Sequence, residues 1–202
     1  MLAKPIQNLI SAFTRLPGVG PKTAERFVIF LLKSGRGEVT RLEKSLEELL
    51  QTIKSCEICH NFSDNSPCEI CTSSLRDKTI VCVVAEPQDV MAIEKTKSFS
   101  GVYHVLRGLI DPLEDGVPGY IKINELLART DEKNPIKISE IIFALDPTIE
   151  GETTVQYISK KIATDRPHVS LSRLATGIPS GGSVEYADEV TLASAIKTRQ
   201  KI

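Results

Sequence analysis

Apolar positions near the start of the chain recur at helical spacing: Ile6, Leu9, Ile10 and Phe13 share one face. LPGVG at 16–20 interrupts the pattern, and Pro21 opens a second segment in which Ala24, Phe27, Val28 and Leu31 line up. SGRG at 34–37 predicts its end, and a third helix follows over about 40–54, with Leu42, Leu46, Leu49, Leu50 and Ile53 opposite Glu43, Lys44, Glu47 and Glu48. From Thr79 the period changes. TIVCVVAE is a continuous β-rich apolar run, as a buried parallel strand requires, and PQDVMAIEKT after it predicts a helix with Pro in its first turn. Stretches 101–109 and 120–123 read as short strand or turn elements around a polar loop, and INELLART at 123–130 reads as a helix. ISEIIFALD at 138–146 is a second buried strand, 153–163 a helix, and HVSLSRLA at 168–175 a third strand. Strands alternating with helices predict an α/β domain with a mainly parallel sheet. A Gly-rich stretch and a helix from about 186 close the chain.

Composition narrows the class. With 202 residues, 41% of them hydrophobic, the chain can bury one large core or two modest ones, which excludes a disordered protein. The longest apolar runs, 27–32 and 79–85, fall far short of the roughly 18 residues of a membrane span. MLAKPIQNL has no long apolar stretch before a cleavage site, so the expected location is the cytoplasm. A net charge of −1 argues at first against a nucleic-acid partner. Resolved by segment, nine basic side chains stand against five acidic ones in 1–55, giving +4, while 56–78 carries −2 and 79–202 carries −3. Aromatic residues are 5% of the chain and Trp is absent, so base stacking is not the main source of any affinity; a nucleic acid would be held by its phosphates.

Three constellations carry chemistry. In LPGVGPKTAERF at 16–27, Gly18 and Gly20 permit a tight hairpin whose backbone N–H groups, with the positive end of the following helix, can seat a phosphate. Lys22 and Arg26, four apart on one face of that helix, supply an electrostatic clamp beside the seat. This is the pattern of a helix-hairpin-helix; the alternative is a plain helical hairpin with a Gly turn. Cys56, Cys59, Cys68 and Cys71 form C-x2-C-x8-C-x2-C, two knuckles able to give a tetrahedral zinc four thiolates and leave no position for water. A short segment poor in apolar residues draws its folding energy from such an ion; free thiols or a redox pair are the alternatives. Cys82 stands alone in an apolar run and reads as core, and His60 reads as a solvated loop residue. The third group lies at strand ends. Glu86 follows the first strand, and Asp146, Glu150 and Glu152 in DPTIEGE follow the second, at the carboxyl edge where open α/β sheets hold ligands. Clustered carboxylates suggest a divalent metal, against the alternative of a solvated acidic loop.

Glu after one strand and D-x-D-x-E-G-E after another is similar to the Toprim arrangement of topoisomerases, primases and some nucleases. Thr148 stands where the second acid of the D-x-D pair belongs, which weakens Mg binding and phosphoryl-transfer chemistry. LPGVGPKTAERF, the four-cysteine block, VVAEPQDV, GVYHVLRGLIDPL, PTIEGETT and GGSVEYADEVTL occur in one order, and over essentially its whole length the chain resembles the RecR family of bacterial recombination mediators. The resemblance implies a helix-hairpin-helix region at 1–55, a zinc finger at 56–78, a Toprim domain at 79–175 and a C-terminal segment at 176–202 that makes oligomer or domain contacts. It implies a non-enzymatic DNA-repair factor forming a ring-like, tetrameric homo-oligomer on DNA and working with RecO and RecF to load RecA on gapped DNA. Lys22, Arg26, Gly18 and Gly20 would then meet DNA, one structural zinc per chain would sit on the cysteines, and Glu86, Asp146, Glu150 and Glu152 would contact a partner or hold Mg weakly. The competing expectation is a Mg-dependent Toprim nuclease or primase.

Overall fold

The computed structural model describes residues 2–131 and 133–199. The chain divides into two compact units, Met1–Ile53 and Lys54–Ile202. The first holds three helices, α1 (Lys4–Phe13), α2 (Pro21–Ser34) and α3 (Arg36–Thr52). Helices α1 and α2 form the hairpin, with the Phe13 and Phe27 rings edge to face at 5.8 Å. The third helix starts four residues earlier than the sequence predicts. Gly35 alone, at φ +78°, supplies the break, and Gly37 is absorbed into the first turn of α3. Only Ala24 and Val28 are buried among the described residues of this unit, whereas Phe30, Leu46, Leu49 and Leu50 are exposed.

The second unit begins with a two-stranded antiparallel ribbon, β1 (Lys54–Ser55) with β2 (Phe62–Ser63), and a single helical turn, α4 (Glu69–Thr72). A parallel four-stranded sheet follows, in the order β4-β3-β5-β6, from β3 (Asp77–Val84), β4 (Gly101–Val105), β5 (Glu140–Ala144) and β6 (Ser170–Arg173). Because strand side chains alternate, Val81 and Val83 enter one core layer with Ile141, Phe143, Leu126 of α6 (Ile123–Arg129) and Ile158 and Ile162 of α7 (Ile149–Asp165). Cys82 and Val84 enter the opposite layer with Tyr103, Val105 and Val90 of α5 (Pro87–Thr96). The sequence reading of Cys82 as core holds, and burial pushes its thiol up to about 12.

Local chemistry sets the helix ends. Asp89 Oδ2 accepts the Glu86 N–H at 2.8 Å at the start of α5. Thr148 Oγ1 accepts the Gly151 N–H at 3.1 Å, so α7 starts at Ile149, ahead of the predicted 153. Residues 120–122 form a turn into α6 and no strand. The last helix, α8 (Glu189–Lys197), is N-capped by Asp188 and held to the chain after β6 by Thr176 Oγ1–Ser194 Oγ (2.9 Å) and Thr198 Oγ1–Thr176 O (3.0 Å). Among the described residues no helix is long and apolar enough to cross a membrane.

Candidate nucleic-acid interface, zinc centre and acidic edge

At the hairpin, Gly18 has φ +77°, a conformation that favours glycine for steric reasons. Gly20 has an ordinary extended backbone, and a Cβ at either position would meet nothing within 4 Å. Internal packing therefore leaves the space outside both glycines open. Gly20 caps α2 without a side-chain hydrogen bond, Pro21 has no N–H to satisfy, and no acidic side chain occupies the first turn. The Lys22 and Thr23 amides have no partner inside the helix, as for any first turn, and the dipole there favours an anion. Lys22 and Arg26 are exposed on the same helix.

The cysteines converge from two elements. Cys56 and Cys59 come from the turn between β1 and β2, Cys68 is the N-cap of α4 and Cys71 lies within it; all four are buried, and their sulfurs lie within 4.8 Å of one another. Cys56 Sγ–Cys71 Sγ is 3.9 Å and Cys59 Sγ–Cys68 Sγ is 3.6 Å. A tetrahedral zinc with Zn–S bonds near 2.3 Å requires sulfurs roughly 3.8 Å apart, so the quartet fits the ion. Hydrogen bonding from Cys59 and Cys71 pulls the Cys68 thiol well down, and the same crowding, with burial, pushes Cys59 and Cys71 up. Four thiols this close cannot all ionise unaided, and a divalent cation resolves that conflict. Cys68 N donates to Cys56 Sγ at 3.3 Å, as in a thiolate knuckle.

The zinc module packs on the sheet's edge strand. Val105 N of β4 donates to Cys59 O at 2.8 Å, and Ile70 of α4 packs against both the cysteines and the Cys82–Val84–Tyr103 layer. His60, which the sequence placed in a solvated loop, is half-buried with its ring edge-on to His104 at 5.3 Å. His104 is fully buried; its Nε2 lies 2.7 Å from Lys122 O and its Nδ1 3.3 Å from an Arg129 nitrogen, so Nε2 carries the proton and Nδ1 accepts. Arg107, at φ +62°, lays its guanidinium 4.3 Å over the Phe62 ring and donates from Nε to His60 O at 2.9 Å; its buried Nη2 has no partner among the described residues. Sequence reading missed Arg107 and Arg129, because their partners lie 47 and 25 residues away with no local pattern to announce them.

At the acidic edge, Glu86, Asp146 and Glu150 are exposed, and Glu152 is engaged by Arg173 of β6 at 3.0 Å. The main chain places Glu86 and Asp146 beyond the paired ends Val84 and Ala144 of adjacent strands. A cleft of about 470 Å³ beside them is lined by Asp146, Glu152, Arg173, Thr176, Thr191 and Ser194. Thr148, in the place of the second D-x-D acid, has its oxygen committed as the α7 cap. Among the described residues the cysteine quartet is the one group of three or more His, Cys, Asp or Glu side chains placed to hold a metal ion, and the four edge acids form none.

A helical hairpin, a four-cysteine cluster placed to hold a metal ion and a parallel four-stranded sheet with helices follow one another along the chain, the class of a multidomain α/β protein. Comparison with known proteins is specific. Residues 6–50 match the family described as RecR, helix-hairpin-helix; 53–73 match the four-cysteine zinc finger domain of RecR; 79–175 match Toprim domain; and 177–200 match RecR, C-terminal. Proteins named Recombination protein RecR from Synechococcus sp. (strain JA-3-3Ab), Rhodococcus jostii (strain RHA1) and Tropheryma whipplei (strain Twist) are 45%, 42% and 42% identical over 201, 203 and 202 residues, covering 100% of both chains in each case. The chain belongs to the RecR family of recombination proteins. Cys56, Cys59, Cys68 and Cys71 all fall in the stretch that matches the four-cysteine zinc finger and are placed together as one structural zinc per chain requires.

Proposed function

We propose that the protein is a non-catalytic, DNA-binding recombination mediator of the cytoplasm, which acts in repair of gapped DNA as a ring-like, tetrameric homo-oligomer and works with RecO and RecF to load RecA on single-stranded DNA. The observation that carries the reading is the hairpin: open space outside Gly18 and Gly20, the α2 N-terminus, and exposed Lys22 and Arg26 on that helix. These groups contact phosphate and no base edge, so binding is independent of sequence. Assembly is supported by the apolar surface of the first unit, where Phe30, Leu46 and Leu50 are 60%, 54% and 83% exposed, and by Val190 and Ile196 of α8. The Glu86/Asp146/Glu150/Glu152 edge serves as a contact for a basic protein partner, and any Mg there is held weakly.

The non-catalytic reading is supported by Thr148, which caps α7, and by Arg173, which engages Glu152. Replacing Lys22 and Arg26 together by Ala is expected to weaken DNA binding roughly tenfold or more while leaving the far-ultraviolet circular dichroism unchanged. Unchanged affinity rejects this face. Incubation with DNA or primer-synthesis substrates in Mg or Mn is expected to give no turnover; metal-dependent turnover lost in Glu86→Gln would overturn the non-catalytic reading.

A further inference from the structure

A zinc ion bound by four thiolates carries a net charge of two minus, and here that charge lies among four residues with no more than 5% exposure. Burying uncompensated charge is costly, so a folded protein supplies N–H···S hydrogen bonds or a nearby cation. Cys68 N–H to Cys56 Sγ is one such bond. Among neighbouring cations, Lys122 pairs with Glu125 at 2.9 Å, and Arg107 is committed to His60 O and the Phe62 ring.

Arg129 differs from both. It sits at the end of α6, half-buried, and lines with Cys71, Ile58, His60, Lys78 and Glu125 a cavity of about 500 Å³ between the zinc module and the Toprim-type domain. One guanidinium nitrogen is fixed by Tyr103 O at 2.7 Å and His104 Nδ1 at 3.3 Å, both neutral acceptors. Among the described residues no carboxylate makes an ion pair with it. Burial pulls the guanidinium below the usual arginine range, and the groups that favour its charge against that pull are Cys71, Cys59, Cys56 and Cys68.

We propose that Arg129 is the charge partner of the zinc–tetrathiolate centre, a positioning residue supplied from the Toprim-type domain that ties zinc affinity to the packing of the edge strand β4. The strand is the physical link. Tyr103 and His104 hold Arg129 on one side, and Val105 N bonds Cys59 O of the knuckle on the other. Zinc release therefore leaves a half-buried guanidinium uncompensated and loosens the seam between the two modules.

The full-length protein tests this by zinc competition with a chromophoric chelator, in the wild type and in Arg129→Lys, Arg129→Gln and Arg129→Met. The inference rests on the four-cysteine zinc assignment, which the wild type's metal content of one zinc per chain checks by itself. Loss of charge in Arg129→Gln and Arg129→Met is expected to weaken zinc binding roughly tenfold or more, and Arg129→Lys to keep most of the affinity. Cobalt substitution should give the same sulfur-to-cobalt charge-transfer intensity in every variant, showing that all four thiolates remain. Affinity of Arg129→Gln within twofold of wild type overturns the proposal, and so does a Lys variant as weak as the Met variant. A lost thiolate band in Arg129→Gln also overturns it, since the residue would then be holding ligand geometry and not balancing charge. Should Arg129→Met fail to fold, the Lys and Gln pair decides.

Discussion

Gly151 and Thr148 together set the start of α7. A Cβ on Gly151 would lie 2.0 Å from Asp146 O, a main-chain atom that cannot move aside cheaply, and the Gly151 amide is the one Thr148 caps. Gly151→Ala is expected to lower the stability of the second unit by about 1–3 kcal/mol, read by urea unfolding. Thr148→Asp keeps a capping oxygen and should leave stability nearly unchanged, which separates the cap from the acid. His104 gives a pH signature. Burial, with Arg129 opposing a second positive charge, holds its imidazole well below the ordinary histidine range. The unfolded chain therefore binds a proton near pH 6.5 that the folded chain refuses, so the contribution of His104 to stability is flat above that pH and falls below it, by at most about 1.4 kcal/mol per unit. His104→Gln should flatten the slope between pH 7.5 and 6, compared at saturating zinc; an equal slope in both proteins contradicts the assignment.

At the scale of elements, the zinc knuckle acts as a cover for a sheet edge. β4 is the edge strand, and Val105 N finds its acceptor in Cys59 O. Removing zinc with a chelator is expected to deprotect the Val105 amide in hydrogen exchange together with residues 56–71, while Val83 and Ile141 in the sheet interior remain protected. Retained protection at Val105 after metal loss would show that the knuckle folds without the ion. Elements are also where the sequence is most legible. The cysteine spacing, the 3.6-residue periods of α1 and α2 and the apolar runs of β3 and β5 are local patterns, and each reports the local structure found. The start of α3 is less legible because SGRG contains two glycines and only Gly35 needs a positive φ. Arg107, Arg129 and Arg173 are not legible because their roles depend on partners brought close by the fold: His60 O, His104 Nδ1 and Glu152. An arginine carries no periodic signal of its own, and a charge run elsewhere in the chain looks the same whether it is solvated or paired.

For the whole molecule, the charge division of +4 in 1–55 against −3 in 79–202 is what the proposed function requires, a cationic hairpin for phosphate and an acidic sheet edge for a protein. On the proposed function, one subunit offers the modest pair Lys22 and Arg26, and repetition around the proposed assembly would multiply it into avidity. Each phosphate contact removed should reduce the salt slope by about one. The most direct test is the dependence of DNA affinity on salt between about 50 and 200 mM, for wild type and the Lys22→Ala/Arg26→Ala protein, with the oligomeric state monitored in the same samples. An assembled scaffold gripping phosphates through several hairpins gives the wild type a log–log slope of about −4 or steeper and leaves the double variant with little slope. A wild-type slope near zero, or equal slopes for the two proteins, would contradict it.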